Sequence, residues 1–492
     1  MPSNGNVGIG TTTPSALLDV NGNVIVDSSV TILDSLEVGK KLKIQQDMKV
    51  KGESVFVGDG KFKDKLVIDG LTKMNGDACT HYSGTTQIAT SLLGNDFILF
   101  DSQRNVHTYD INQGTNPTLP TAIITDFEDP NDLISPDDWT CGEWMNTFND
   151  HYALDAHWAA MMTYDYFKDV HDRDSYDNQG SVIDVYVHHQ APDFAAWLGT
   201  NLLPIGTVFG MAFGSGKPSQ GYEGLVSLDI VAHEFGHGIT QTTSNLLPTN
   251  TNSGPESGSI NEALSDIWGA VVENWVVNVK MLNGAGDNDK DIWLAGEETH
   301  LVAKAQRSMR DPKGFGYDPL SSPINTPMAD TYGGTFYSQL RGKSGVMSHW
   351  FYLLSEGSSA TDGINDNNDN FNFSGIGIEK AADIVYLAQT VYFTSLSNYI
   401  DVRQATIEAA NDLYGLCSAE AIAVADAWDA VGVPVFSLAS LPVYAACGEL
   451  NASNQPSGIY DGTGYANIVV GTPSEGGEVY SGVGTYCILL MK

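Results

Sequence analysis

His233-Glu234-Phe235-Gly236-His237, followed by Ser259-Ile260-Asn261-Glu262-Ala263-Leu264-Ser265-Asp266, is the stretch on which the reading of this chain turns. On a helix, positions i and i+4 lie one above the other, so the imidazoles of His233 and His237 face one way and can share a zinc ion. Glu234, one residue round, can reach water at that metal. Leu225, Leu228, Ile230, Val231 and Ile239 supply the apolar face that buries such a helix. A catalytic zinc needs a third protein ligand and a fourth position open to water. Glu262 and Asp266 repeat the i, i+4 spacing on a second predicted helix, so one carboxylate can bind the metal while the other accepts the N–H of a ligand imidazole.

Around these two helices the hydrophobic period changes along the chain. Alternating stretches such as Phe97-Ile98-Leu99-Phe100 and Val182-Ile183-Asp184-Val185-Tyr186-Val187 read as strands and predict a β-rich segment to about residue 225. Helical spacing predicts helices over 227–243, 259–277, 345–355, 378–394 and 400–414. Residues 434–492 return to Gly-rich short strands and carry no legible motif.

The N-terminal region has a different rhythm. Apolar residues fall six apart in two registers, Val24, Val30, Leu36, Leu42, Met48 and Val26, Ile32, Val38, Ile44, Val50, Phe56, Phe62, Ile68. A strand this short cannot bury its own apolar face, so the hexads must coil into a β-helix or intertwine from three chains. Asn6-Val7-Gly8-Ile9-Gly10-Thr11-Thr12-Thr13-Pro14, continuing to Leu18-Asp19-Val20-Asn21-Gly22, resembles the N-terminal segment of bacterial and phage fibre proteins, which implies a homotrimeric shaft and attachment to a fibre or particle. The expected organisation is a shaft over 1–76, a β-rich lobe with the metal-binding helix over 77–247, a helical lobe over 248–433, and a small β-rich module over 434–492.

Composition limits the partners. With 24 Lys+Arg against 60 Asp+Glu, the 492 residues carry a formal charge of −36 and a pI near 4.3. Such a surface repels nucleic acid and anionic membranes and favours bound cations. No apolar run is long enough to span a bilayer. The charge is uneven, because residues 1–76 hold nine Lys against nine Asp+Glu and the rest of the chain carries the whole excess. Five cysteines are too few and too scattered for a disulfide framework, and one pair, such as Cys447 with Cys487, is possible but not deducible. The start Met1-Pro-Ser-Asn-Gly lacks a basic and apolar leader, so the expected location is extracellular or particle-associated by some route other than a visible secretory signal.

The two motifs together look like the thermolysin-type metallopeptidases. Further segments match in order, including Ala305-Gln306-Arg307-Ser308-Met309-Arg310-Asp311-Pro312, Ser344-Gly345-Val346-Met347-Ser348-His349-Trp350 and Val402-Arg403-Gln404-Ala405, so the resemblance spans about 85–433. It implies a two-lobed α+β fold and a zinc endopeptidase cutting peptide bonds that precede an apolar residue. By resemblance His233, His237 and Glu262 are zinc ligands, Glu234 is the general base, and Asp266 supports His233. Arg307 holds the substrate carbonyl, and Ala195 lies on the substrate-binding edge strand. Asp229, Glu273 and Glu297 take the positions of a calcium cage, whose oxygens suit that ion.

Three positions depart from the family pattern. Pro248 stands where a tyrosine is expected over the zinc, Arg341 where a histidine is expected, and Phe194 where an asparagine would grip the peptide backbone. Arg341, Tyr332 and Tyr337 are candidates to stabilise the oxyanion in place of the missing donors. The departures leave an alternative open: a catalytically impaired peptidase-fold protein that serves a fibre as a binding or adhesion module.

Overall fold

The computed structural model describes residues 7–9, 18–20, 49–51, 54–57, 67–69, 72–93, 96–111, 122–123, 151–199, 209–247, 256–280, 290–302, 304–314, 327–337, 340–361, 363–435, 445–450, 456–457 and 485–489. By contacts the chain divides into Met1–Lys49 and Val50–Lys492. In the first unit the strand Val7–Ile9 runs parallel to Leu18–Val20, with Val7 opposite Leu18. Most of the hexad positions, and with them the shaft as a whole, lie outside the described residues. In the second unit the strand Ser54–Val57 pairs in parallel with Thr72–Cys79, Ser54 opposite Thr72, an offset of three hexads.

Besides the four-stranded sheet of Ser54–Val57, Thr72–Cys79, Thr85–Leu93 and Asp96–Ile98, the β-rich lobe contains a larger mixed sheet. Its strands run in the order Ala122–Ile123, Val106–Asp110, Ile183–His189, Gly210–Gly214 and Ala195–Leu198. The three central strands are parallel, and Ala195–Leu198 is antiparallel to Gly210–Gly214 and forms the edge. Helix α1 (His151–His171) packs on this sheet. Sequence patterning had assigned this segment to the β-rich region. The helix is buried at fifteen positions from His151 to Phe167, so it lacks the polar stripe by which an amphipathic helix announces itself.

Helix α2 (Leu228–Thr242) carries His233 to His237, and α3 (Glu256–Asn274) carries Glu262 and Asp266. Both match the predicted helices closely. The helical lobe continues with α4 (Leu340–Glu356), α5 (Ile378–Leu387), α6 (Tyr399–Tyr414) and α7 (Ala419–Ala430), the last unpredicted because its alanine-rich repeat gives a weak period. Helices α3 and α5 each end in a widened i→i+5 turn, Trp275–Val279 and Ala388–Tyr392.

A continuous apolar core runs through α1, α2 and α3 into the helical lobe, with Phe167, Phe235, Trp268, Trp350 and Trp428 fully enclosed. Truncating one such aromatic to alanine costs about 3–5 kcal/mol. The fully buried amide of Gln389 is satisfied, since it accepts the Trp268 indole N–H at 2.8 Å and donates to Thr240 at 2.9 Å. At the C-terminal end Ala445–Leu450 pairs with Pro456–Ser457 and Thr485–Leu489, placing Cys447 opposite Cys487, while Cys417 is disulfide-bonded.

Candidate active site and metal centre

Two glycines set the distance between α2 and α3. A Cβ on Gly236 would lie 3.1 Å from the Ser265 Cα, and one on Gly269 would lie 2.8 Å from the Asp229 carbonyl oxygen. Any larger residue would wedge the helices apart, so this close approach is what lets α3 carboxylates reach α2 imidazoles.

His233 Nδ1 stands 2.8 Å from Asp266 Oδ1, and His237 Nδ1 stands 2.8 Å from Asn261 Oδ1 and 3.0 Å from Ser265 Oγ. A carboxylate or amide oxygen only accepts, so each Nδ1 carries the hydrogen and each neutral ring turns a lone pair outward on Nε2. The two Nε2 atoms face each other across 3.2 Å, where their lone pairs repel unless a proton or a cation lies between them. Nitrogens bound at 2.0–2.1 Å to a tetrahedral zinc stand about 3.3 Å apart. Glu262, 33% exposed, brings oxygens 3.8 Å from His237 Nε2 and 3.9 Å from His233 Nε2, and ligand atoms of the three residues lie within 4.8 Å of one another. The donor set fits zinc.

Asp266 is the hub behind His233. It accepts Arg307 Nε–H at 3.0 Å and Nη2–H at 2.6 Å as well as the imidazole. Burial would raise the Asp266 carboxyl, but Arg307 and His233 outweigh it and hold it well below its ordinary value. Burial would lower His233, yet Asp266 prevails and raises it. For Glu262 burial likewise opposes ionisation, and the two imidazoles overcome it. Arg307 is therefore a buried, committed side chain, its Nη1–H also donating to Gln306 at 3.0 Å.

Glu234 is buried one residue round from His233, and its Oε2 accepts the backbone N–H of Trp197 at 2.7 Å. This ties α2 to the edge strand. Since Trp197 N–H points away from Gly210–Gly214, the same parity turns the backbone groups of Ala195 to the open side, where an extended peptide can pair. Beside His233 a narrow pocket is lined by Ile230, Ala270, Leu294, Ala295 and Met309, with Arg307 and Asp266 at its polar end.

The other candidates fall as follows. Phe194 stacks on His189 with ring centroids 4.0 Å apart. Tyr337 donates its hydroxyl to Glu256 Oε1 at 2.5 Å, and Tyr332 sits against Tyr337 with centroids 4.9 Å apart. Tyr337 is thus committed to Glu256, which also accepts the Tyr399 N–H at 2.9 Å. Arg341 lies in the first turn of α4, its side chain outside the described residues, as is Pro248. Among the sequence-predicted residues the structure brings together His233, His237, Glu262, Asp266 and Arg307, with Glu234 and the edge strand adjoining.

Asp229, Glu273 and Glu297 gather in a second buried acidic cluster. Asp229 Oδ1 accepts from Ser227 Oγ and Oδ2 from the Gly296 N–H, both at 2.6 Å. Burial, then Glu273 and Asp229, push Glu297 well above the ordinary carboxylate range, the signature of acids gathered without enough counter-charge. Among the described residues both carboxylate oxygens of Glu297, like those of Glu298, are enclosed with no hydrogen-bond partner, so oxygens suited to calcium are present.

Sequence reasoning passed over three participants. Asn261 was legible, since it sits one turn before Ser265 on the face of α3 that carries Glu262. The Trp197 N–H is a backbone donor with no side-chain signature, and Lys290, which joins the acidic cluster, had no motif.

Two imidazoles from one helical turn and a carboxylate from the next helix define the class, a metallopeptidase-type centre between two lobes. The description "Thermolysin metallopeptidase, catalytic domain" matches residues 75–241, and "Thermolysin metallopeptidase, alpha-helical domain" matches 252–433. Over these two domains, which together make up most of its length, the chain belongs to the thermolysin metallopeptidases. It is 34% identical over 355 residues to a bacillolysin of Brevibacillus brevis, covering 71% of this chain and 55% of that relative. It is 31% identical to the thermolysin of Alicyclobacillus acidocaldarius, covering 76% and 62%. It is also 31% identical to a transglutaminase-activating metalloprotease of Streptomyces mobaraensis, covering 77% and 45%. The chain thus spans about half the length of the curated relatives it matches.

Proposed function

We propose that this chain is a zinc-dependent endopeptidase that hydrolyses peptide bonds preceding an apolar residue. The observation that carries the reading is the pair of Nε2 lone pairs converging at 3.2 Å beside Glu262 and Glu234. His233, His237 and Glu262 would hold zinc, which when bound supplies Lewis acidity, polarising a carbonyl and bringing the pKa of water toward about 7. Glu234 takes the proton of the attacking water and hands it to the leaving amine nitrogen. Asp266 fixes the His233 tautomer, with Arg307 closing the other side of its carboxylate. The open edge at Ala195 aligns the peptide, and the apolar side chains of Ile230, Leu294 and Met309 beside His233 supply the surface that favours an apolar residue after the scissile bond. Incubating the metal-loaded full chain with a peptide library should give cleavage before apolar residues, lost on chelation and restored by zinc.

A second reading is supported by the commitment of Tyr337 to Glu256 and by Phe194 immediately before the edge strand: the cleft recognises a surface peptide or glycan without cutting it. Metal-loaded protein that cleaves nothing at high concentration favours it. The N-terminal hexads support display on a homotrimeric fibre or particle outside the cell, and a disulfide at Cys417 suits an oxidising compartment. Among the described residues no helix is long and apolar enough to cross a membrane. Sedimentation equilibrium tests the trimer, and a monomer would remove the shaft reading.

A further inference from the structure

The four-stranded sheet at the start of the β-rich lobe joins the hexads to the peptidase. Thr72–Cys79 pairs in parallel with Ser54–Val57 on one side and antiparallel with Thr85–Leu93 on the other. In the parallel pair Ser54 is opposite Thr72 and Phe56 opposite Met74, eighteen residues on, and Met74 is the next term after Ile68 in the hexad series that contains Phe56. The strand Val67–Asp69 pairs with the one ending at Lys51, which precedes Asp69 by the same eighteen residues. Two successive hexads thus repeat at one interval, and that interval is three hexads.

We propose that the hexads next to the peptidase coil within a single chain, three to a turn, and that the last turn is built into the catalytic lobe, so that the coil holds the cleft in a fixed orientation. Hydrogen-bonded strands lie about 4.8 Å apart, so a strand paired with its own chain eighteen residues on leaves no room between for strands of two other chains. A parallel pair needs a crossover of about a dozen residues or more, and the stretch from 58 to 71 supplies it, with the strand Val67–Asp69 where a helix is usual. Such stacking of short apolar units is the geometry of a β-solenoid. Past the coil the chain is pinned to the lobe at once. The N–H groups of His81 and Tyr82 donate to the buried Asp155 carboxylate on α1 at 2.5 and 3.0 Å, and the Tyr82 hydroxyl donates to the Gly224 carbonyl at 2.7 Å. From Cys79 to His81 there is no length for a flexible linker.

The inference rests on the shaft reading of the hexads and not on catalysis. A trimer of such coils and a prism of three intertwined chains sediment alike, so the test is a cross-link. Val55 is opposite Lys73 between the two apolar registers, so substitution there leaves the hexads intact, and opposite Cα atoms at strand spacing fall within disulfide range. The oxidised full-length double variant Val55→Cys with Lys73→Cys should migrate with wild type on a non-reducing gel, its new disulfide mapped within one chain by mass spectrometry. Val55→Cys with Val67→Cys, one hexad short of a turn, should form no link. Should the first pair fail to fold, Val57→Cys with Asn75→Cys, also opposite, repeats the test. Limited digestion of the wild type with trypsin should spare the bond after Lys73. A link between chains in the opposite pairs, or any link in the pair one hexad short, overturns the single-chain coil and leaves the shaft. Folded protein with no link in either opposite pair, within or between chains, overturns the shaft reading as well. Rapid tryptic cleavage after Lys73 overturns the fixed orientation.

Discussion

Glu234 and Trp197 are joined by a 2.7 Å hydrogen bond from the backbone N–H of the edge strand to the carboxylate on α2. The bond fixes a buried acid on the side of the helix from which it can serve water at the metal, and it couples the base to the strand that aligns the peptide. Glu234→Gln keeps this bond through its amide oxygen but can no longer take a proton. Turnover should fall by about 10²–10⁴-fold, the usual contribution of general base catalysis, with bound zinc and melting temperature unchanged. Normal turnover in a zinc-loaded variant would end the proposed mechanism.

Asp266 is shared by His233 and Arg307, and the two partners predict different losses. Asp266→Ala leaves a buried guanidinium unpaired, which costs about 3–5 kcal/mol, and frees the His233 ring, which typically lowers metal affinity about 10–100-fold. Adding Arg307→Met should return much of the stability and none of the affinity. Urea unfolding and competition with a chelator read the two quantities separately. Recovery of zinc affinity in the double variant would show that Asp266 acts through Arg307 and not through the imidazole.

Tyr337 tests whether the departures from the family pattern are repaired within this loop. Its hydroxyl is given to Glu256, so Tyr337→Phe should cost about 1.5–3 kcal/mol for a lost bond to a charged group and change kcat/KM by less than about threefold. A fall in kcat of about 10²-fold with unchanged stability would instead make Tyr337 a donor to the oxyanion.

The metal centre was legible because i, i+4 spacing on a helix is a geometric statement already, and the α2 and α3 boundaries followed from the apolar stripes on either side of it. What fixes the spacing between those helices was not legible, since Gly236 and Gly269 matter only once their neighbours Ser265 and Asp229 are known. Helix α1 was misread because burial on all sides erases periodicity. Arg307 was legible only in part for a related reason. Sequence places it near the substrate, while only packing shows that two of its nitrogens are already spent on Asp266. Lys290 is the limiting case, a lone lysine whose meaning comes wholly from Glu273 and Glu298 on other segments.

The scaffold beneath the site should set the acid limit of the protein. His157 on α1 has no exposed surface, its Nε2–H donates to the Ala89 carbonyl at 2.8 Å, and its Nδ1 accepts from Thr108 Oγ at 2.8 Å. Both ring nitrogens are spent in the neutral form, and burial pushes the ring down to about 4 from the ordinary 6.5. A histidine depressed in the folded state is protonated more readily when unfolded, so its stabilising contribution is intact above pH 6.5 and is lost as pH falls toward 4. The difference corresponds to about 3 kcal/mol. His151 and His171, also pushed down to about 4 chiefly by burial, steepen the same window. Urea unfolding measured from pH 7 to pH 4 should show stability dropping through this range, and His157→Gln, whose amide can still donate to Ala89, should make the drop shallower. An identical slope in the variant would mean that this ring is not among the groups that take up protons on unfolding.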